Sequence, residues 1–143
     1  MANVLVVYAT RTSSTREIAD LVAEGIRFTG NEASVVDVKD IKSEADFESY
    51  NGYVFGSPTY HGEMLQSMKT MLFLAEKANL ARKVGGAFGA HGSSTEAQDR
   101  IYNTMKEIFR MDMTKGPLLL KSASLGGAVQ LAHEYGKEIG SKL

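Results

Sequence analysis

Val4-Leu5-Val6-Val7-Tyr8, then Ala9, then Thr10-Arg11-Thr12-Ser13-Ser14-Thr15, with Ile18, Leu21, Val22 and Ile26 beyond, is the stretch that decides the fold. The first five residues are continuously apolar or aromatic, too short for a helix and without alternation. That pattern belongs to a parallel strand buried on both faces, and it predicts a strand over residues 3–8. The later apolar residues recur at helical spacing, and Ser14 followed three positions on by Glu17 reads as a capping box that starts the helix. Gly30 closes it. A buried strand, a polar loop and an amphipathic helix make the first half of a βαβ unit.

Working outward, the alternation repeats. Strands are expected at 33–38, 53–57, 84–89 and 118–122, with a short helix after Ser43. Helices are marked by Leu65, Met68, Leu72 and Ala75, by Ile101, Met105, Ile108 and Phe109, and by Ala128, Leu131, Tyr135 and Ile139. Pro58 and Pro117 both fall at strand ends. The expected class is α/β, a three-layer, doubly wound, five-stranded parallel sheet with helices on both faces. At 143 residues, 43% hydrophobic and 23% charged, the chain has the size of one domain, residues 1–143. Sixteen basic against seventeen acidic residues give a net charge of -1, so no nucleic-acid footprint is expected. The cysteine count of zero excludes disulfides and thiol chemistry, so redox work needs a borrowed cofactor. With no basic leader and no apolar run of membrane-spanning length, a cytoplasmic protein is expected, with no membrane partner.

In an open parallel sheet, ligands sit beyond the carboxyl ends of the strands where the strand order reverses, which directs attention to the loops after strands one, three and four. The first, Thr10 to Thr15, sets side-chain hydroxyls and backbone N–H groups at a helix N-terminus, a site for a phosphate dianion. A cap would account for Ser14 alone, not for six consecutive polar residues. Neither GxGxxG nor a GK[ST] ending occurs in this loop, which favours one terminal phosphate over a pyrophosphate.

Val6-Val7-Tyr8-x-Thr10-x-x-Ser13-x-Thr15-x-x-x-Ala19 resembles the flavodoxin signature, in which a hydroxyl loop wraps the phosphate of FMN. The resemblance implies strand order 2-1-3-4-5 with FMN at the switch point, and flavodoxin is itself a standard illustration of that rule. Two departures stand out: Ser13 where the family usually has Gly, Ala or Cys, and a charged Arg11, which either clamps the phosphate or points into solvent. Gly56-Ser57-Pro58-Thr59-Tyr60-His61-Gly62 looks like the family loop that lines one side of the isoalloxazine ring, with Tyr60 or His61 flanking it. Gly62 lets the His61–Gly62 peptide turn over, which in flavodoxins accompanies one-electron reduction to the semiquinone. Gly89-Ala90-His91-Gly92-Ser93-Ser94 resembles the second ring-lining loop. Here His91 and Ser93 stand where Tyr and Trp are common, leaving one flavin face more open.

What the resemblance implies is a one-electron carrier, a monomer or weak dimer, that docks on redox partner proteins through the exposed flavin edge. Carriers of the family are usually markedly acidic, and this chain is not. The same motifs also look similar to flavodoxin-like protoporphyrinogen oxidases and quinone reductases, so an FMN-dependent oxidoreductase acting on a quinone or porphyrinogen stands as the alternative. A non-catalytic nucleotide-binding module is the third reading. His61, His91 and His133 lack metal-ligand spacing, and Ser57 is not in a GxSxG elbow. The methionines read as core filler, with Met64 near the flavin loop.

Overall fold

The computed structural model describes residues 1–11 and 13–143. Its centre is β1 (Asn3–Tyr8), which pairs in parallel with β2 (Glu32–Asp37) on one side and β3 (Gly52–Gly56) on the other, Val6 lying opposite both Val35 and Val54. β4 (Val84–Ala90) continues the sheet beside β3, giving the order β2-β1-β3-β4 and then the edge. Successive side chains of β1 point to opposite faces. Accordingly Val4, Val6 and Tyr8 enter one core while Leu5, Val7 and the following Ala9 enter the other. The unbroken apolar run is the sequence trace of two cores served by one strand.

Helices cover both faces. α1 (Ser14–Arg27) and α4 (Ala128–Ser141) pack on one, α2 (Gln66–Lys77) and α3 (Glu96–Asn103) on the other. α1 and α4 cross closely because Gly25 and Gly136 carry no Cβ. One added at Gly25 would sit 2.2 Å from the His133 carbonyl oxygen, and one at Gly136 would sit 2.2 Å from that of Val22. The capping signal is displaced by one residue from its expected place: Ser13, not Ser14, is the N-cap of α1. Ser13 Oγ hydrogen-bonds Glu17 Oε1 at 3.1 Å, and its carbonyl accepts the Glu17 N–H at 3.0 Å. The short helix expected after Ser43 is a 3-10 turn, Glu44–Phe47, closed by a Ser43–Asp46 capping box. α3 runs on into a π-helical turn, Thr104–Ile108. Ile108 and Leu131, expected on buried faces, are exposed.

The sheet edge also departs from expectation. Instead of one strand over 118–122, two short strands share the place beside β4: β5 (Asp112–Met113) opposite Val84 and Gly85, and β6 (Leu118–Leu120) opposite Phe88 to Ala90. The chain leaves the ladder between them. A side chain fills the gap: Tyr135, from α4, takes the Ala87 N–H on its hydroxyl at 3.0 Å, donates to the Gly116 carbonyl at 3.0 Å and meets Thr114 Oγ1 at 2.8 Å. Burial pushes this phenol far up, so it stays neutral and free to donate. Tyr135→Phe leaves the buried Ala87 N–H without its acceptor. It is expected to cost about 1–3 kcal/mol, read as a lower urea midpoint at unchanged slope.

Candidate functional site

Because β1, β3 and β4 are parallel, the loops after Tyr8, Gly56 and Ala90 emerge at the same edge of the sheet. The first is pinned where it starts by the Ala9 N–H, which donates to the Gly56 carbonyl at 2.9 Å. Beyond that point, two hydroxyls stand out. Thr10 Oγ1 and Thr15 Oγ1 are both buried with no hydrogen-bond partner among the described residues, and Thr15 as a whole is 1% exposed. The third such atom, Asn3 Oδ1, is at the opposite end of β1. Ser13 gives α1 no side-chain cap, since its hydroxyl is engaged with Glu17. Backbone N–H groups at a helix N-terminus and two unpartnered hydroxyls beside them form a donor set with room for an anion. Thr12 lies outside the described residues.

Arg11 is exposed, as one of its two expected readings has it, and it also makes a contact that neither reading contains. Its guanidinium carbon lies 3.8 Å from the centroid of the Tyr60 ring, so the first loop is tied to the second by a cation–π contact. Arg11, Pro58, Thr59 and Tyr60 line a cleft of about 350 Å³. Tyr60 is 44% exposed, and its ring meets that of His61 at 4.2 Å.

The second loop is built around a tight turn. Tyr60 and Glu63 exchange both backbone hydrogen bonds, at 2.7 and 3.0 Å, while His61 (φ 51°) and Gly62 (φ 77°) turn the corner with positive φ. That is the pattern of a type I′ turn, which Gly enters freely and His only under local constraint. At its foot Lys69 donates to Glu63 at 2.7 Å and holds that carboxyl below its ordinary value. Ser57 does not face the cleft: it is fully buried, its hydroxyl donating to the Pro58 carbonyl at 3.0 Å and accepting the Leu65 N–H at 3.1 Å.

A residue that the sequence reading passed over holds the second and third loops together. Gln98, on α3 and 0% exposed, donates through Nε2 to the carbonyls of Ser57 (2.7 Å) and Ala90 (3.3 Å) and accepts from Thr59 Oγ1 (3.0 Å). Its signal was an amide beside Ala97 and one helical turn from Ile101 on the apolar face of a helix. Gly89 belongs to the same junction, since a Cβ there would stand 2.1 Å from the Ser57 carbonyl oxygen and 2.6 Å from Gln98 Nε2. Gly92 has open space instead. His91 is tied at both ends, its N–H to the Leu120 carbonyl and Nδ1 to the Gly92 carbonyl, each at 2.9 Å. Ser93 is exposed, and Ser94 Oγ accepts the Glu96 N–H at 3.2 Å. The third loop thus carries no aromatic ring to the site. Among the described residues no cluster of groups suited to a metal ion occurs, and no helix is long and apolar enough to cross a membrane.

Comparison with known proteins adds three likenesses and a family. The flavodoxin domain model matches residues 5–133. A flavodoxin of Clostridium saccharobutylicum is 29% identical over 118 residues, covering 80% of this chain and 69% of that one. The anaerobic nitric oxide reductase flavorubredoxin of Escherichia coli O1:K1 / APEC is 27% identical over 143 residues, covering 95% of this chain but 29% of its own length. Among solved structures, a flavodoxin from the domain Archaea superposes with a TM-score of 0.91 at 25% identity, over 98% of this chain and 97% of that one.

Gln98 generates a direct test of the junction. Gln98→Leu keeps the volume but leaves the Ser57 carbonyl without the amide that reaches it. Stability is expected to fall by about 1–3 kcal/mol, measured by urea unfolding; an unchanged midpoint would show that the amide does not hold these loops.

Proposed function

The chain belongs to the flavodoxin family and is an FMN-binding electron-transfer protein, and we propose that it works as a one-electron carrier built on a single domain, residues 1–143. In this reading Thr10, Thr12, Ser13, Ser14 and Thr15 hold the phosphate, residues 58–62 line one side of the ring, and residues 90–93 line the other. The observation that carries it is the pair of buried, unpartnered hydroxyls on Thr10 and Thr15 at the start of α1. A buried hydroxyl without a partner costs about 1–3 kcal/mol. A phosphate oxygen accepting from each removes that cost, and the α1 dipole favours the negative charge.

Bound FMN supplies a group that accepts and releases electrons; the chain's residues hold it and control what reaches it. Tyr60 offers an aromatic face, and the positive-φ turn at His61 and Gly62 places a peptide there that can present either its C=O or its N–H. Ser57, Gly89 and Gln98 act from behind, fixing the separation of the two ring-side loops. The third loop brings His91, Gly92 and Ser93 rather than an aromatic cover, and that openness supports electron exchange with partner proteins at the ring's edge. The same openness favours the alternative, an oxidoreductase that admits a quinone or porphyrinogen. This chain spans less than a third of the flavorubredoxin it matches, and that protein's activity is not carried over. A reducing cytoplasm is the proposed setting, supported by the absence of cysteine.

The phosphate assignment predicts that Thr15→Val weakens FMN by about 10–100-fold, the size of a hydrogen bond to a charged group, while riboflavin affinity stays put. Equal losses for both ligands, in parallel titrations, would overturn the assignment. Stepwise anaerobic reduction then separates the functions. Two resolved one-electron stages with negligible quinone turnover are expected; a single two-electron stage with turnover would replace the carrier by the oxidoreductase. Failure to bind FMN at all would leave the third reading, a nucleotide-binding module.

A further inference from the structure

We propose that Arg11 is a positioning residue that acts on bound FMN through Tyr60, biasing the cofactor towards its reduced, more negatively charged form. The inference rests on the FMN reading above. It starts from a charge with no counter-ion. Among the described residues Arg11 forms no ion pair, and the carboxylates on or just beyond the three loops are engaged elsewhere: Glu17 with Ser13, Glu63 with Lys69, Glu96 with Arg100. Arg11 instead lies over a neutral ring, its guanidinium carbon 3.8 Å from the Tyr60 centroid, in the cleft that it lines with Pro58, Thr59 and Tyr60.

A guanidinium is charged at every relevant pH, and its flat, weakly hydrated face suits an aromatic surface. Stacking there fixes a full positive charge at the junction of the proposed phosphate loop and the proposed ring-side loop. A fixed cation stabilises whichever state of a neighbouring group is more negative. Adding an electron to FMN, without a matching proton, makes it more negative. Arg11 therefore favours the reduced form, and Tyr60 is the surface that keeps the charge in place. Tyr60 is itself bracketed, with Arg11 on its face and the His61 ring 4.2 Å away. Loss of either partner frees the other.

The test uses the full chain loaded with FMN at one fixed pH, and reads reduction potential together with the dissociation constants of oxidised FMN and riboflavin. Variants are Arg11→Gln, Arg11→Lys, Tyr60→Leu and the double variant Arg11→Gln/Tyr60→Leu, with Tyr60→Ala as a second truncation. Arg11→Gln is expected to lower the preference for reduced over oxidised FMN by about two- to fivefold, the size of a solvent-screened interaction between two unit charges a few ångströms apart. For a one-electron step this is about 20–40 mV. Arg11→Lys retains part of the effect, because the charge stays and the flat contact is lost. With Tyr60 truncated, the further change from Arg11→Gln shrinks to less than half, the non-additivity expected of a coupled pair. An unchanged potential in Arg11→Gln overturns the proposal, as does an undiminished shift when Tyr60 is already gone. A steep loss of FMN affinity with riboflavin unaffected would make Arg11 a phosphate clamp and overturn it too. If the unaltered chain fails to bind FMN, the functional reading itself falls, an outcome distinct from the others.

Discussion

Everything in this molecule hangs on the parallel pairing of β1 with β2 and β3. A central strand flanked on both sides has all its backbone groups in ladders, so both of its faces are available for cores, and the Val4 to Tyr8 run fills both. Parallel neighbours require crossovers, and crossovers put helices on the two faces. The same constraint sends the loops after β1, β3 and β4 to one edge. The site is thus a by-product of the sheet's polarity, not a separate construction.

At that edge the loops are tied to one another as well as to the sheet. Arg11 lies on Tyr60, joining the first loop to the second, and Gln98 spans Ser57, Thr59 and Ala90, joining the second to the third. Two unlike interactions do the joining. The Gln98 junction is buried, hydrogen-bonded through both ends of the amide and intolerant of even one added carbon at Gly89. The Arg11 contact is solvent-facing and made by a long, exposed side chain.

The three-layer plan was readable from the sequence because burial on both faces forbids polar residues in β1 and periodicity betrays the helices; the strand order came from the resemblance to flavodoxins alone. The loop after β1 stood out as a candidate site because six consecutive polar residues exceed what capping needs, and two unpartnered hydroxyls lie there. Elsewhere local signals ran out for physical reasons. Ser13 and Ser14 are chemically alike, so only the helix geometry shows which one is the cap. The edge divides because β5 and β6 are two and three residues long, too short for a pattern, and because Tyr135 supplies from another element the acceptor that a continuous strand would have given. Gln98 and the Arg11–Tyr60 pair depend on contacts between loops distant in sequence, which no window along the chain contains. The positive φ of His61 was equally hidden, since nothing about histidine announces it.

The two unpartnered threonine hydroxyls have a bearing on the life of the chain as well as on its chemistry. A ligand that meets such groups binds the folded state and not the unfolded one, and so shifts the folding equilibrium in proportion to its free concentration. The stability of the chain is in this way tied to the supply of its cofactor: the folded fraction rises with free FMN by mass action alone.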